Sequence, residues 1–194
     1  MHKAMTEKVQ GTFQKDRTVY GYKINSDNKI INVTSSFNEF ATANDTESLS
    51  KDNAVGKDLF SYITGKETRH LYEVLMQNVR RSGKRATIPF RCDSPSLRRF
   101  MELHVIPERD GSLQFEGVLV REEERPVVPL LDPESDRSEE IISMCSWCKR
   151  IQIESHWHDV ESALITHRFF EATQLPMISH GVCEDCVQLF EMDE

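Results

Sequence analysis

Residues 100–120 read Phe-Met-Glu-Leu-His-Val-Ile-Pro-Glu-Arg-Asp-Gly-Ser-Leu-Gln-Phe-Glu-Gly-Val-Leu-Val. Met101, Leu103 and Val105 alternate with Glu102, His104 and Ile106. That period of two puts one set of side chains on each face of a strand. Residues 113–120 form a second β-rich run, and Arg109-Asp110-Gly111 stands between the two as a turn signal. The stretch predicts an antiparallel hairpin.

Upstream, residues 86–92 read as one more strand. Before it, Thr64 followed by Glu67 has the form of a capping box. It predicts a helix with Leu71, Val74, Leu75 and Val79 on one face, stopped at Gly83. Residues 55–60 open a short helix, and Phe37, Phe40 and Ala41 have helical spacing. Residues 19–25 and 29–34 are strand-like and flank the turn signal Ser26-Asp27-Asn28, a second hairpin. The order is ββ-ααα-βββ, an α+β arrangement with one antiparallel sheet half-covered by helices.

That order, over residues 17–123, resembles a PAS domain. The phrases that carry the resemblance are Ile30-Ile31-Asn32-Val33 before a short helix, Val55-Gly56-Lys57-Asp58-Leu59-Phe60, and the closing Asp110-Gly111 hairpin. The resemblance implies a five-stranded antiparallel sheet with helices on one face, a sensory role, and dimerisation. Some members hold haem, flavin or a metabolite between helices and sheet. The flavin-photosensing phrase Asn-Cys-Arg is absent here. Cys92 sits in Pro89-Phe90-Arg91-Cys92-Asp93 and reads first as a small buried hydrophobe, second as a reactive thiol beside Arg91. An axial haem ligand would come from His70 or His104, each of which reads more simply as a solvated or hydrogen-bonded histidine. Arg80, Arg81, Lys84 and Arg85 flank Gly83, where cations complement a helix C-terminus. Arg98 and Arg99 extend them toward an anion-binding or partner patch.

Residues 124–140 contain Pro126, Pro129 and Pro133, each lacking a backbone donor. The stretch reads as a semi-extended linker with an apolar side at Val127, Val128, Leu130 and Leu131. It divides the charge. Of the net −8, residues 1–125 carry 20 basic and 18 acidic groups, and residues 126–194 carry 4 and 14. A sensor-like body of +2 is thus followed by a section of −10. The balance argues against a general nucleic-acid binder, because phosphate neutralisation drives that binding. No apolar run is long enough to span a bilayer and no secretory h-region opens the chain. The expectation is a cytosolic protein, with the sequons at Asn32 and Asn44 chance matches.

Four of the 5 cysteines fall in that acidic section, as Cys145-Ser146-Trp147-Cys148 and Cys183-Glu184-Asp185-Cys186. Two Cys-x-x-Cys units supply four soft ligands, the sphere preferred by structural Zn²⁺. Gly181 would allow a tight approach before the second unit. His180, three residues before Cys183, is an alternative ligand or a group that orients a thiolate. Disulfides suit a chain with no export signal poorly. A c-type haem would need His where Lys149 and Val187 stand. An iron–sulfur cluster and a redox-labile zinc site stay open. Residues 157–170 read as a helix packed on the metal site, with His156, His158 and His167 solvated. The segment 141–190 also resembles a small module that follows PAS or receiver domains in bacterial signalling proteins. Some 55 residues bury little core unaided, so the metal should contribute folding free energy.

No Walker loop, nucleophile elbow or His-Glu-x-x-His motif is present. The expectation is a non-catalytic sensor or adaptor: a PAS-like domain at 17–123, a linker at 124–140, and a zinc-stabilised module at 141–194. A homodimer and a protein partner with a basic surface are implied. A thiol–zinc redox switch is the alternative. A nucleic-acid regulator using Arg80, Arg81, Arg85, Arg98 and Arg99 is the weaker third.

Overall fold

Gly111 turns the chain with φ 79°, in the left-handed region that glycine enters without steric cost. Its N–H donates to Glu108 O at 3.1 Å, and the Glu108 N–H donates to Ser112 O at 3.0 Å. In the computed structural model, which describes residues 19–43, 51–166 and 174–191, the hairpin arms are β4 (Leu97–Pro107) and β5 (Leu113–Glu124). Both run further than the apolar alternation predicts. Beyond an irregularity at Phe100/Met101 the pairing continues as Arg99 opposite Glu122 and Arg98 opposite Glu123. Cross-strand ion pairs, Arg99 Nε to Glu122 Oε2 at 2.7 Å among them, extend the ladder where hydrophobic patterning stops.

Three more strands, β1 (Val19–Ile24), β2 (Ile30–Val33) and β3 (Ala86–Arg91), complete a five-stranded sheet in the order β2-β1-β5-β4-β3. Every pairing in it is antiparallel. Asn25 organises the β1–β2 turn: its Oδ1 accepts from the N–H of Asp27 and of Lys29. Asn28 follows at φ 62°, a conformation asparagine tolerates.

Between β2 and β3 come α1 (Ser35–Ala43), α2 (Lys51–Ala54), a 3₁₀ turn at Leu59–Ser61 and α3 (Lys66–Ser82). Asp58 caps the 3₁₀ turn by accepting from Phe60 N–H at 2.7 Å. The expected capping box at Thr64 is not formed. Gly65, at φ 84°, is the N-cap of α3 and supplies no side-chain bond. α3 buries Leu71, Leu75, Met76 and Val79 in a core with Ile24, Val105, Leu113 and Phe115 of the sheet. It ends at Gly83, φ 66°, whose N–H returns to Val79 O at 3.0 Å. The α+β class and the PAS-like sheet with helices on one face stand as expected.

The segment 124–140 does more than connect. A 3₁₀ turn at Pro129–Leu131 sinks Leu130, and Val128 is buried beside it. These join Met144, Ile151, Val160, Ala163, Leu164 and Leu175 in a second core. That core lies on a second sheet, β8-β7-β6-β9, built from β6 (Arg137–Cys145), β7 (Ile151–Ile153), β8 (His156–His158) and β9 (Leu175–Gly181). β6 and β9 run parallel; the other pairs are antiparallel. Helices α4 (Val160–Thr166) and α5 (Glu184–Glu191) complete the section. The helix expected at 157–170 therefore starts later. Glu154, at φ 53°, turns a tight hairpin, and Trp157 pairs with Gln152 in β8. The local period is two through His-Trp-His, and only from Val160 does the apolar spacing become helical. Residues 167–170 lie outside the described residues. No described helix is long and apolar enough to cross a membrane.

Candidate metal centre and its neighbouring cavity

The parallel β6–β9 pairing brings the two Cys-x-x-Cys units together. It sets Cys145, the last residue of β6, opposite Gly181, so Cys183 follows two residues on. The first unit closes through Lys149 at φ 63°, with Cys145 N–H donating to Arg150 O at 2.7 Å and Lys149 N–H to Cys145 O at 3.1 Å. The second unit opens α5, where the N–H groups of Cys186 and Val187 both donate to Cys183 O at 3.0 Å. A Cβ at Gly181 would meet Trp157 Cη2 at an ordinary 3.8 Å, so the expected need for glycine there is not steric.

The four Sγ atoms lie within 4.8 Å of one another. Cys148 and Cys183 Sγ are 3.6 Å apart; a tetrahedral Zn²⁺ with bonds near 2.3 Å spaces its sulfurs by about 3.8 Å. Cys183 N–H points at Cys145 Sγ at 3.5 Å. Cys145, Cys183 and Cys186 are buried and Cys148 is half-buried. Hydrogen bonds from the Cys148 and Cys186 thiols hold the Cys145 thiol far below its ordinary range. The same hydrogen bond to Cys145 pushes Cys148 up to about 12, and Cys186 rises too. Four thiols this close share one negative charge readily; a cation is what lets all four ionise. The donor set and its burial fit a soft tetrahedral ion.

His180 is on β9, exposed and outside the cluster of ligand atoms. Its imidazole is held below the ordinary range first by partial desolvation against its neighbours, although the residue as a whole reaches solvent, and second by the Lys149 ammonium. His156 and His158 are exposed on β8; His167 lies outside the described residues.

Trp147 joins this centre to the first domain. It lies inside the first Cys-x-x-Cys unit, 4% exposed. Its ring is 4.8 Å from Phe190, 5.6 Å from Tyr72 and 6.2 Å from Phe90, centroid to centroid. Trp147 O accepts from Arg91 N–H at 2.7 Å, and Ser146 Oγ is 3.2 Å from Thr68 Oγ1 on α3. Three of the cysteines thus belong to the same buried cluster as Leu75, Ile88 and Val105. A polar junction lies beside it. Asp93, its side chain fully buried, pairs with Arg91 and Arg125, while Glu161 of α4 takes Arg98 and Arg125.

A cavity of about 400 Å³ opens on the helix-bearing face of the first sheet, lined by Tyr20, Tyr22, Phe37, Tyr72, Phe90 and Cys92 among others. Burial pushes Tyr72 up to about 12 and Tyr22 well above its usual range. The Arg99–Glu122 ion pair is part of its lining. Of the cofactor-site expectations, Cys92 is at this cavity and the two histidines are not. His70 is exposed on α3. His104 alternates with Leu103 and Val105, so it faces away from the helices, and its Nε2 is 2.9 Å from Glu102. The arginine set also divides. Arg80 is committed inward, donating to Gly111 O, Asn28 Oδ1 and Asn25 O, and Arg98 and Arg99 are ion-paired. The sequence did not single out Asp93, Arg125 and Glu161; their signal was charge at β-strand ends and in an amphipathic helix, which reads as surface.

No family model and no curated protein matches the chain. Among solved structures it is similar to a domain of an HTR-like protein from Haloarcula marismortui, 13% identical, TM-score 0.38, over 54% of this chain and 99% of that one. It is similar also to a sensory box sensor histidine kinase from Vibrio cholerae, 11% identical, TM-score 0.38, over 53% and 81%. At these values the similarity carries neither a ligand nor an activity to this chain.

Proposed function

We propose that this chain is a non-catalytic, bacterial-type signal-transduction sensor or adaptor. The PAS-like domain answers to a signal, and the four-cysteine module, folded around Zn²⁺, passes the answer to a protein partner. The observation that carries this reading is Trp147. It sits between two of the thiols and lies against Tyr72 and Phe90, both of which line the 400 Å³ cavity. A change in the cavity walls therefore reaches the metal centre through one ring. All four ligands come from cysteines, which closes the coordination sphere and suits a structural ion rather than a hydrolytic one. The net −10 of residues 126–194 favours a partner with a basic surface, and the PAS-like domain would pair with a second copy in the cytosol.

Elemental analysis with an absorption spectrum, on protein purified without added metal, tests the metal: one zinc per chain and no visible band are expected. Hydrogen exchange tests the coupling. Chelating the zinc should speed exchange around Tyr72 and Phe90 as well as around the cysteines. Loss of protection confined to the module would refute the relay.

One observation favours a second reading, a thiol–zinc redox switch: Cys148 is the half-buried member of an otherwise buried set. Oxidation of that thiolate would eject the ion. A stoichiometric ion and unreacted thiols after mild peroxide would exclude it.

A further inference from the structure

Three cations at the end of α3 have no acidic partner among the described residues: Arg81, Lys84 and Arg85. The chain as a whole is strongly acidic, and Arg91, Arg98, Arg99, Arg121, Arg125 and Arg150 are all ion-paired. Among the described residues Arg81 bonds only to the Asn78 amide oxygen, at 3.0 Å. Complementing the carbonyl end of α3 accounts for Arg81, in the last turn. It does not account for Lys84 and Arg85, which follow the Gly83 cap. These three side chains instead line a hollow of about 390 Å³, whose apolar wall is formed by Leu75, Val79, Ile88, Leu189 and Phe190. Leu75, Val79, Ile88 and Phe190 are each at most 6% exposed, so the wall belongs to the packed core and is preformed.

A basic rim beside an apolar wall is the complement of what an amphiphilic anion presents. We propose that this hollow binds a small amphiphilic anion, a carboxylate or phosphate head on an apolar body, with Arg81, Lys84 and Arg85 holding the head. Its volume falls in the range of small-molecule sites. The wall is shared: Leu189 and Phe190 are on α5, whose first turn carries Cys186, whereas the rest is α3 and β3. An occupant therefore bridges the four-cysteine module to the PAS-like domain. The site is separate from the aromatic cavity, and the inference stands whether or not that cavity takes a ligand.

The probe is decanoate, titrated calorimetrically into the zinc-loaded full chain. Binding of one decanoate per chain is expected, weakening as salt rises. The triple substitution Arg81→Gln, Lys84→Gln, Arg85→Gln touches exposed side chains, so the protein should keep its fold. Its affinity should drop by about tenfold or more, the loss expected for charge-assisted bonds to one head group. Uncharged 1-decanol should bind the unchanged protein weakly, by a similar factor. Hydrogen exchange should slow in residues 79–86 and 186–190 when decanoate binds. Unchanged affinity in the triple variant, equal affinity for decanol, or protection at residues 20–22 and 117–119 instead would overturn the assignment. So would sedimentation with phosphatidylglycerol vesicles in the absence of any response to free decanoate, which would give the cations to a membrane surface.

Discussion

Replacing Trp147 with alanine should cost more than truncating any other apolar side chain in the module. The ring is 4% exposed and has three aromatic neighbours within 6.2 Å. Large-to-small changes of a buried Trp cost about 3–5 kcal/mol, and each aromatic pair adds about 0.5–1.5 kcal/mol beyond area. With three pairs broken the expected value is at the upper end, about 4–5 kcal/mol. That is a large share of the roughly 5–15 kcal/mol that holds a typical domain folded.

Trp147→Phe is the informative companion. Trp147 Nε1 is buried with no hydrogen-bond partner among the described residues. Removing a buried, unpaired donor relieves about 1–3 kcal/mol, which offsets the smaller cavity left by losing one fused ring. The expected net cost is about 0–2 kcal/mol. Urea unfolding at saturating zinc is the assay, because metal bound only to the native state adds to apparent stability. Equal costs for the two variants, or a cost below about 1.5 kcal/mol for Trp147→Ala, would refute the view that this ring is the main apolar tie between the two parts.

Serine at Cys145, Cys148, Cys183 or Cys186 should each abolish stoichiometric zinc in elemental analysis, whereas Cys92→Ser and His180→Ala should retain it. Asp93→Ala takes the fully buried carboxylate from Arg91 and Arg125, which keep Asp159 at 3.7 Å and Glu161 at 2.9 Å, and urea unfolding should report a loss of about 1–3 kcal/mol. Glu161 supplies a pH test. Burial raises its carboxyl, but the hydrogen bonds from Arg98 and Arg125 outweigh this and hold it below the ordinary 4.5. A depressed carboxyl stabilises the fold above its unfolded value and stops doing so as pH falls through the folded one. The stability gap between the wild type and Glu161→Gln should therefore be full at pH 7 and narrow as pH falls below about 4; a gap that is absent at pH 7, or that widens in acid, refutes the pairing.

The parts of this molecule that were legible in the sequence are those whose cause is local. The 101/103/105 alternation and Gly111 define the β4–β5 hairpin, and Gly83 ends α3, because period and left-handed φ are written in neighbouring residues. The four cysteines are legible for the same reason: each ligand pair sits within one turn of chain. What was not legible depends on distant partners. Thr64 with Glu67 has the form of a capping box, yet the N-cap is Gly65, and Thr68 answers Ser146, 78 residues away. The polar end of the β4–β5 ladder has no apolar pattern to announce it. Asp93 and Glu161 look like surface charge until Arg125 is folded between them.

Trp147 had a signal that spacing alone does not use. The largest apolar side chain stands between two of the candidate ligands, Cys145 and Cys148. Such a ring must be buried against something outside that unit, since a module of this size has little core of its own. If the four cysteines hold an ion as proposed, the ordering of the module depends on two supports: that ion, and the docking of this ring between Tyr72, Phe90 and Phe190. Both supports act on the same few residues, because Cys145 and Cys148 bracket the ring. On the reading proposed above, a change in the packing of Tyr72 or Phe90 alters metal affinity, and by linkage the metal would alter the affinity of the cavity for an occupant by the same factor. The aromatic cavity and the four-cysteine centre would in this sense be two readings of one buried cluster, and a measurement on either should fix the state of the other.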